Sequence, residues 1–294
     1  MIFHNQEYTL CHLRARWRFQ TYAKFAWSIN CTLIVFIAIP LSSQTIQKAS
    51  NNWYFGDRAG LNFNTSAPTA LTDGSLNTQE GVATISNELG ELLFYTDGST
   101  VYDKSHKPMP NGNFTLNGHF SSTQSAIIVP QLNDPDLFYI FTVDELGGSN
   151  GLSYSVVDIS LPGNGNNSSP LGDVIASDLN ISLVTPVTEK ITAVLKPDLK
   201  SYWVLAHGWN NNSFYAFDID CNGINPTPIE SQIGSVHSGG SQNINAVGYM
   251  KASINGERLA LVSRVTNSID LFDFDKVTGI VSNDSQIFPS VSSL

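Results

Sequence analysis

Cysteine is scarce in this chain: Cys11, Cys31 and Cys221 are the only three among 294 residues. Two of them fall within the first 44 residues. A disulfide framework is therefore excluded as the basis of the fold, and Cys221 is expected as a half-buried turn residue. Charge is scarce too. Only 14% of residues are charged, and the formal net charge is −10. With no basic patch, nucleic acid is excluded as a partner; acidity alone speaks for solubility and names no ligand. Sustained helical periodicity is missing from residue 45 onward, which excludes a helical bundle. The apolar run at 33–41 falls well short of the roughly 20 residues a helix needs to cross a bilayer. The signatures of several chemistries are also missing. No Gly-x-Ser-x-Gly elbow accompanies an ordered triad, and no glycine-rich phosphate loop joins a strand to a helix. No loop has EF-hand spacing, and His106, His119, His207 and His237 lack the spacing of a zinc site.

What is present begins with the leader. Arg14, Arg16, Arg18 and Lys24 precede the apolar run, and Ser42, Ser43 and Gln44 follow it. A basic segment, a short apolar core and a small-residue exit form the pattern of a secretory signal. Residues 1–44 are expected as a signal peptide or, uncleaved, as an N-terminal membrane anchor, the only membrane contact. Residues 45–294 are expected as an exported domain, at the cell surface, outside the cell or in the periplasm.

The dominant feature is a phrase written five times. An aromatic-rich strand is followed by a polar turn and a second strand that often ends in aspartate. The copies are 92–98 with 100–103, 137–144 with 152–158, 202–207 with 214–218, and 259–262 with 269–275; 53–57 with 61–64 is a weaker first copy. Spacings of about 40–65 residues are those of propeller blades. Asn-Gly and Asp-Gly pairs, among them Asp97-Gly98 and Asn222-Gly223, supply the positive φ of tight hairpins. Inner strands are expected at 82–86, 126–130, 191–195 and 248–253. Weaker outer strands are expected at 173–176, 228–233 and 279–287, as edges usually are. The segment 162–169 reads as a flexible loop within one blade. The expectation is an all-β propeller of four-stranded blades, about five of them, forming an incomplete ring. The first copy, lacking an inner strand before it, would need one from the C-terminus, and the chain reads as truncated there.

Several phrases carry a family resemblance: Asn51-Asn52-Trp53-Tyr54-Phe55-Gly56, Asn77-Thr78-Gln79-Glu80-Gly81, Phe94-Tyr95-Thr96-Asp97-Gly98 and Ser121-Ser122-Thr123-Gln124-Ser125-Ala126. Together they resemble the N-terminal WD-repeat-like propeller module of large surface and adhesin proteins from gliding bacteria that use type IX secretion. The resemblance covers residues 51–283. It implies a propeller without catalytic residues, belonging to a surface protein. No sorting domain is present, so that family's route to the surface does not follow for this chain.

Candidate chemistry is weighed on the same pattern. Asp97, Asp144, Asp158, Asp218 and Asp273 recur at matching positions. A glycosidase needs two carboxylates facing one pocket, whereas regular recurrence points to turn capping. Asp57, Asp73, Asp97 and Asp144 are the candidates for calcium, the one cofactor considered, because hard oxygen ligands suit that ion. Function on a propeller lies in loops. Trp209, flanked by His207 and Asn210, combines a ring for stacking on a sugar with groups for its hydroxyls; the competing reading buries Trp209 between blades. Tyr102 and His237 complete the candidate ligand-binding set. The expected function is non-enzymatic surface binding or adhesion, with a glycan or protein ligand. The alternatives are a carbohydrate-active enzyme on the same scaffold, or a non-functional fragment of a longer surface protein.

Overall fold

The computed structural model describes residues 48–264 and 268–288; the expected leader, 1–44, lies outside them. The chain folds as an all-β propeller of five antiparallel sheets in sequence order. Blade 1 contains β1 (Asn52–Phe55), β2 (Ala59–Asn62) and β3 (Thr69–Leu71), and blade 2 contains β4 (Ala83–Ser86), β5 (Leu92–Thr96) and β6 (Val101–Asp103). Blade 3 runs β7 (Ala126–Pro130), β8 (Leu137–Val143), β9 (Leu152–Asp158), then β10 (Asp173–Val174) and β11 (Ile181–Val184), both paired with β9. Blade 4 runs β12 (Val187–Leu195), β13 (Tyr202–Gly208), β14 (Asn211–Asp220), then β15 (Gly223–Ile224) and β16 (Ile229–His237), both paired with β14. Blade 5 is four-stranded: β17 (Gly248–Ala252), β18 (Arg258–Ser263), β19 (Ser268–Asp275) and β20 (Ile280–Phe288). The fourth position is thus filled in three blades, twice by a strand split in two. Among the described residues no helix is long and apolar enough to cross a membrane.

The repeated phrase is the second and third strand of blades 2 to 5. Blade 1 differs from the expectation. Its aromatic phrase at 53–55 is the inner strand itself, followed by β2 and by β3 where the sequence offered only a turn-like phrase. The first copy therefore needs no strand from the C-terminus to precede it. The segment 162–169 is not a free loop either. Asn164 Nδ2 donates to Asp103 Oδ2 and to the Pro108 carbonyl, both at 2.8 Å, and so fastens the loop to blade 2.

The core lies between sheets. Tyr54 and Leu76 of blade 1 pack on Tyr95 and Tyr102 of blade 2. Phe94 and Met109 meet Phe138 and Ile140, Phe141 and Val156 meet Val204 and Phe217, and Leu205 and Phe214 meet Met250, Leu261 and Phe272. Alternation explains the arrangement. Successive side chains of a strand point to opposite faces, so an aromatic strand fills the space on both sides of its blade. Five sheets are joined by four apolar clusters. Among the described residues no such cluster joins blade 5 to blade 1, and there the ring is open.

Candidate functional site

The ring is held around its axis by three buried polar side chains. Gln124, just before β7, sends its amide to two other blades. Its Nε2 donates to the Ile191 and Met250 carbonyls (2.8 and 3.1 Å), and its Oε1 accepts from the Ile191 and Met250 amides (3.2 and 2.7 Å). One side chain thus satisfies four backbone groups on inner strands β12 and β17. The register of β12 slips between Val187 and Ile191. Such a bulge turns consecutive side chains away from the regular alternation, and here it carries Glu189 and Lys190, both fully buried. Glu189 accepts from Thr123 N (2.8 Å), Thr123 Oγ1 (2.7 Å) and Leu146 N (2.8 Å) of blade 3. Lys190 Nζ donates to the Ala246 carbonyl at 2.8 Å, on the side of blade 5. Burial pulls the Lys190 amine down to about 7, against the opposing pull of Glu189.

Beside this clasp lie four of the sequence candidates. The His207 and His237 rings lie 4.2 Å apart, and Asn210 N donates to the His237 carbonyl at 2.7 Å. Both histidines are buried. Burial lowers His207 to about 3 and holds His237 well below the usual imidazole range. Trp209 is 4% exposed. A side chain at Gly147 would meet the Trp209 ring at 2.5 Å, so the indole is packed against the loop of blade 3. The expected sugar-stacking role for Trp209 is corrected accordingly: its ring has no free face. Asn210 alone of the group is exposed. Tyr102 belongs elsewhere, buried in a stack with Tyr95 whose centroids are 5.2 Å apart.

The aspartates are occupied by structure. Asp97 Oδ1 accepts from Ser99 N, Ser99 Oγ and Thr100 N within 2.7–2.9 Å, a closed turn. Asp144 caps Glu145 and Asn150, and Asp158 caps Ser160. Asp218 pairs with Lys196 and Asp273 with Arg258. Asp73 accepts from Tyr54 Oη at 3.0 Å and faces His106 Nε2 at 3.4 Å. Asp57 stands exposed beside the bridge to Asn77. The four calcium candidates do not converge. Among the described residues no three His, Cys, Asp or Glu side chains gather to hold a metal. Cys221 occupies the expected half-buried turn and is disulfide-bonded.

The open surface is at the seam. A cavity of about 750 Å³ is lined by Trp53 and Phe55 of β1, by the inner strands of blades 2 to 4, and by Tyr249 and Lys251 of β17. In β1, Tyr54 faces blade 2 and its neighbours Trp53 and Phe55 face away, 50% and 37% exposed. In β17, Met250 faces blade 4, while Tyr249 faces away, 47% exposed. Blades 1 and 5 thus turn aromatic rings toward one cleft, which Thr84, Thr123 and Thr192 also line. Among the described lining residues there is no aspartate or glutamate.

No family model and no curated protein matches this chain. Among solved structures it is similar to a candidate 6-phosphogluconolactonase from Bacteroides uniformis, with 15% identity, 82% of this chain and 71% of that one covered, and a TM-score of 0.44. It is similar to the β-propeller domain of Cps50 (Swd1) from Myceliophteria thermophila, with 10% identity, coverage of 78% and 67%, and a TM-score of 0.36. It is also similar to an exo-β-1,3-galactanase from Phanerochaete chrysosporium, with 10% identity, coverage of 74% and 52%, and a TM-score of 0.40. These likenesses carry nothing about activity.

Sequence reasoning missed the residues that line the cleft. Trp53, Phe55 and Tyr249 read as ordinary strand aromatics, because only the missing neighbour at the seam distinguishes them from Phe94 or Phe141. Gln124 stood inside a quoted phrase, but its partners lie 67 and 126 residues away. A signal did exist for the bulge: the adjacent charges Glu189-Lys190 interrupt an otherwise apolar strand.

Proposed function

We propose that this protein is an exported, non-enzymatic propeller that binds a glycan in the seam between blades 1 and 5, serving attachment at a cell surface. The observation that carries the reading is the composition of the cleft: exposed Trp53, Phe55 and Tyr249, with no carboxylate among the described lining residues. Aromatic faces pack against the C–H faces of a pyranose. A cavity of this volume lies in the range of small-ligand sites. Glycoside hydrolysis needs an acid and a base or nucleophile about the scissile bond, and the described lining residues include neither, which supports binding over turnover. The basic and apolar pattern at 14–41 supports export.

The test is a glycan array with the purified chain, followed by titration of the best ligand. Trp53→Ala and Tyr249→Ala are each expected to weaken it about tenfold or more, as loss of an interface aromatic does. An array on which nothing binds, or binding indifferent to both substitutions, sinks the proposal.

A further inference from the structure

We infer that the cleft selects anionic glycans, sugar chains bearing carboxylate or sulfate groups, and that Lys251 reads the charge. The inference rests on the glycan-binding reading above and adds the ligand's class. Lys251 is exposed on β17, on the same face as Tyr249, and lines the cleft. It also lines an adjoining hollow of about 410 Å³ at the outer ends of β12 and β17, which holds Lys196 and Lys276 and, among the described residues, no acidic side chain. The two hollows share Thr192, Ala193 and Lys251, so they form a continuous groove.

The three lysines are not equivalent. Lys196 is paired with Asp218 and lies 4.0 Å from the centre of the Trp203 ring. Lys276 donates to the Asn255 carbonyl at 2.6 Å and faces Glu257 at 3.9 Å. The Lys251 ammonium has no ion pair or hydrogen bond among the described residues. A chain with formal charge −10 has carboxylates to spare for its cations, yet this one stands uncompensated where a ligand would lie. An anionic group on the sugar supplies the missing counter-charge. A neutral sugar leaves the ammonium with water alone.

The experiment titrates the purified full chain with three probes of matched length: an oligogalacturonate, its fully methyl-esterified form and a sulfated oligogalactan. The ester keeps the ring shape and removes the charge. We expect the charged forms to bind about fivefold or more tightly than the ester, and Lys251→Ala to erase that preference. Lys104→Ala, an exposed lysine on blade 2, should leave the preference intact. Whichever of the uronate and the sulfated chain binds more tightly identifies the anionic group. Equal binding of acid and ester, or a preference that survives Lys251→Ala, overturns the inference while leaving a glycan-binding cleft standing. If none of the probes binds and the array is blank, both readings fail.

Discussion

The joint between blades 4 and 5 and the seam between blades 5 and 1 are made from the same kind of strand, yet they differ in every physical respect. At the joint, Leu205, Trp203 and Phe214 interlock with Met250, Leu259 and Phe272, all close to fully buried. Lys190 and Gln124 tie the two inner strands together at the axis. At the seam, Trp53, Phe55, Tyr249 and Val262 point outward with a third or more of their surface in water. Aromatics on the filled side of a blade give stability. Aromatics on the unfilled side retain apolar surface that a ligand can cover, and exposed patches of this kind mark interaction sites.

Substitutions test that contrast directly. Phe214→Ala removes a fully buried ring from the joint and is expected to cost about 3–5 kcal/mol, as Phe-to-Ala changes in cores do. Chemical denaturation would measure it, and a cost below about 1 kcal/mol would show that the joint is not packed as described. Gln124→Ala strands four backbone groups on β12 and β17. At roughly 1–3 kcal/mol for each buried group left unsatisfied, offset where water enters, a loss of about 2–4 kcal/mol is expected. Gln124→Glu should also destabilise, because a carboxylate cannot donate to the Ile191 and Met250 carbonyls.

The clasp also sets a pH dependence that the seam does not share. Lys190 has its folded value depressed to about 7 from an ordinary 10.5. Between these limits the unfolded chain binds more protons, so stability rises with pH from about 7 to 10. His207, lowered to about 3 from 6.5, acts in the same sense in a lower window: stability falls as pH drops from 6.5 toward 3, because the buried ring must charge. Denaturation midpoints across pH 4–10 should therefore climb, and Lys190→Met should flatten the climb above pH 7 in particular. An unchanged slope in that variant would assign the effect to other groups. The smallest effect on stability is expected at the seam. Trp53→Ala, half-exposed, should change stability by about 0.5 kcal/mol or less, in keeping with surface substitutions, while weakening ligand binding as above. A large loss of stability there would mean that the seam is filled.

The sequence read the second and third strands of blades 2 to 5 almost to the residue, because hairpin pairing is local: alternation, Asn-Gly or Asp-Gly turns and terminal aspartates all act within a few residues. Asp97 and Asp158 close turns within three residues of themselves, so recurrence alone revealed their structural role. Blade 1 was harder. Its inner strand is short and is recognised only by its position at the axis. The candidate aromatic of the sequence reading lies in a different place from the exposed aromatics of the structure. The sequence singled out Trp209, an aromatic with polar neighbours, but its ring packs against Gly147 of blade 3, whereas Trp53 and Tyr249 are the aromatics left exposed.

The amino-acid sequence by itself determined the paired-strand repeat, the all-β architecture and the roles of its turns, since each depends on contacts between residues near in sequence. Only the tertiary structure decided which aromatic faces are filled, that Gln124 joins three blades and that the ring has an open seam. Those outcomes depend on how whole sheets stack about an axis. A strand carries the same alternation whether or not another blade lies against its second face.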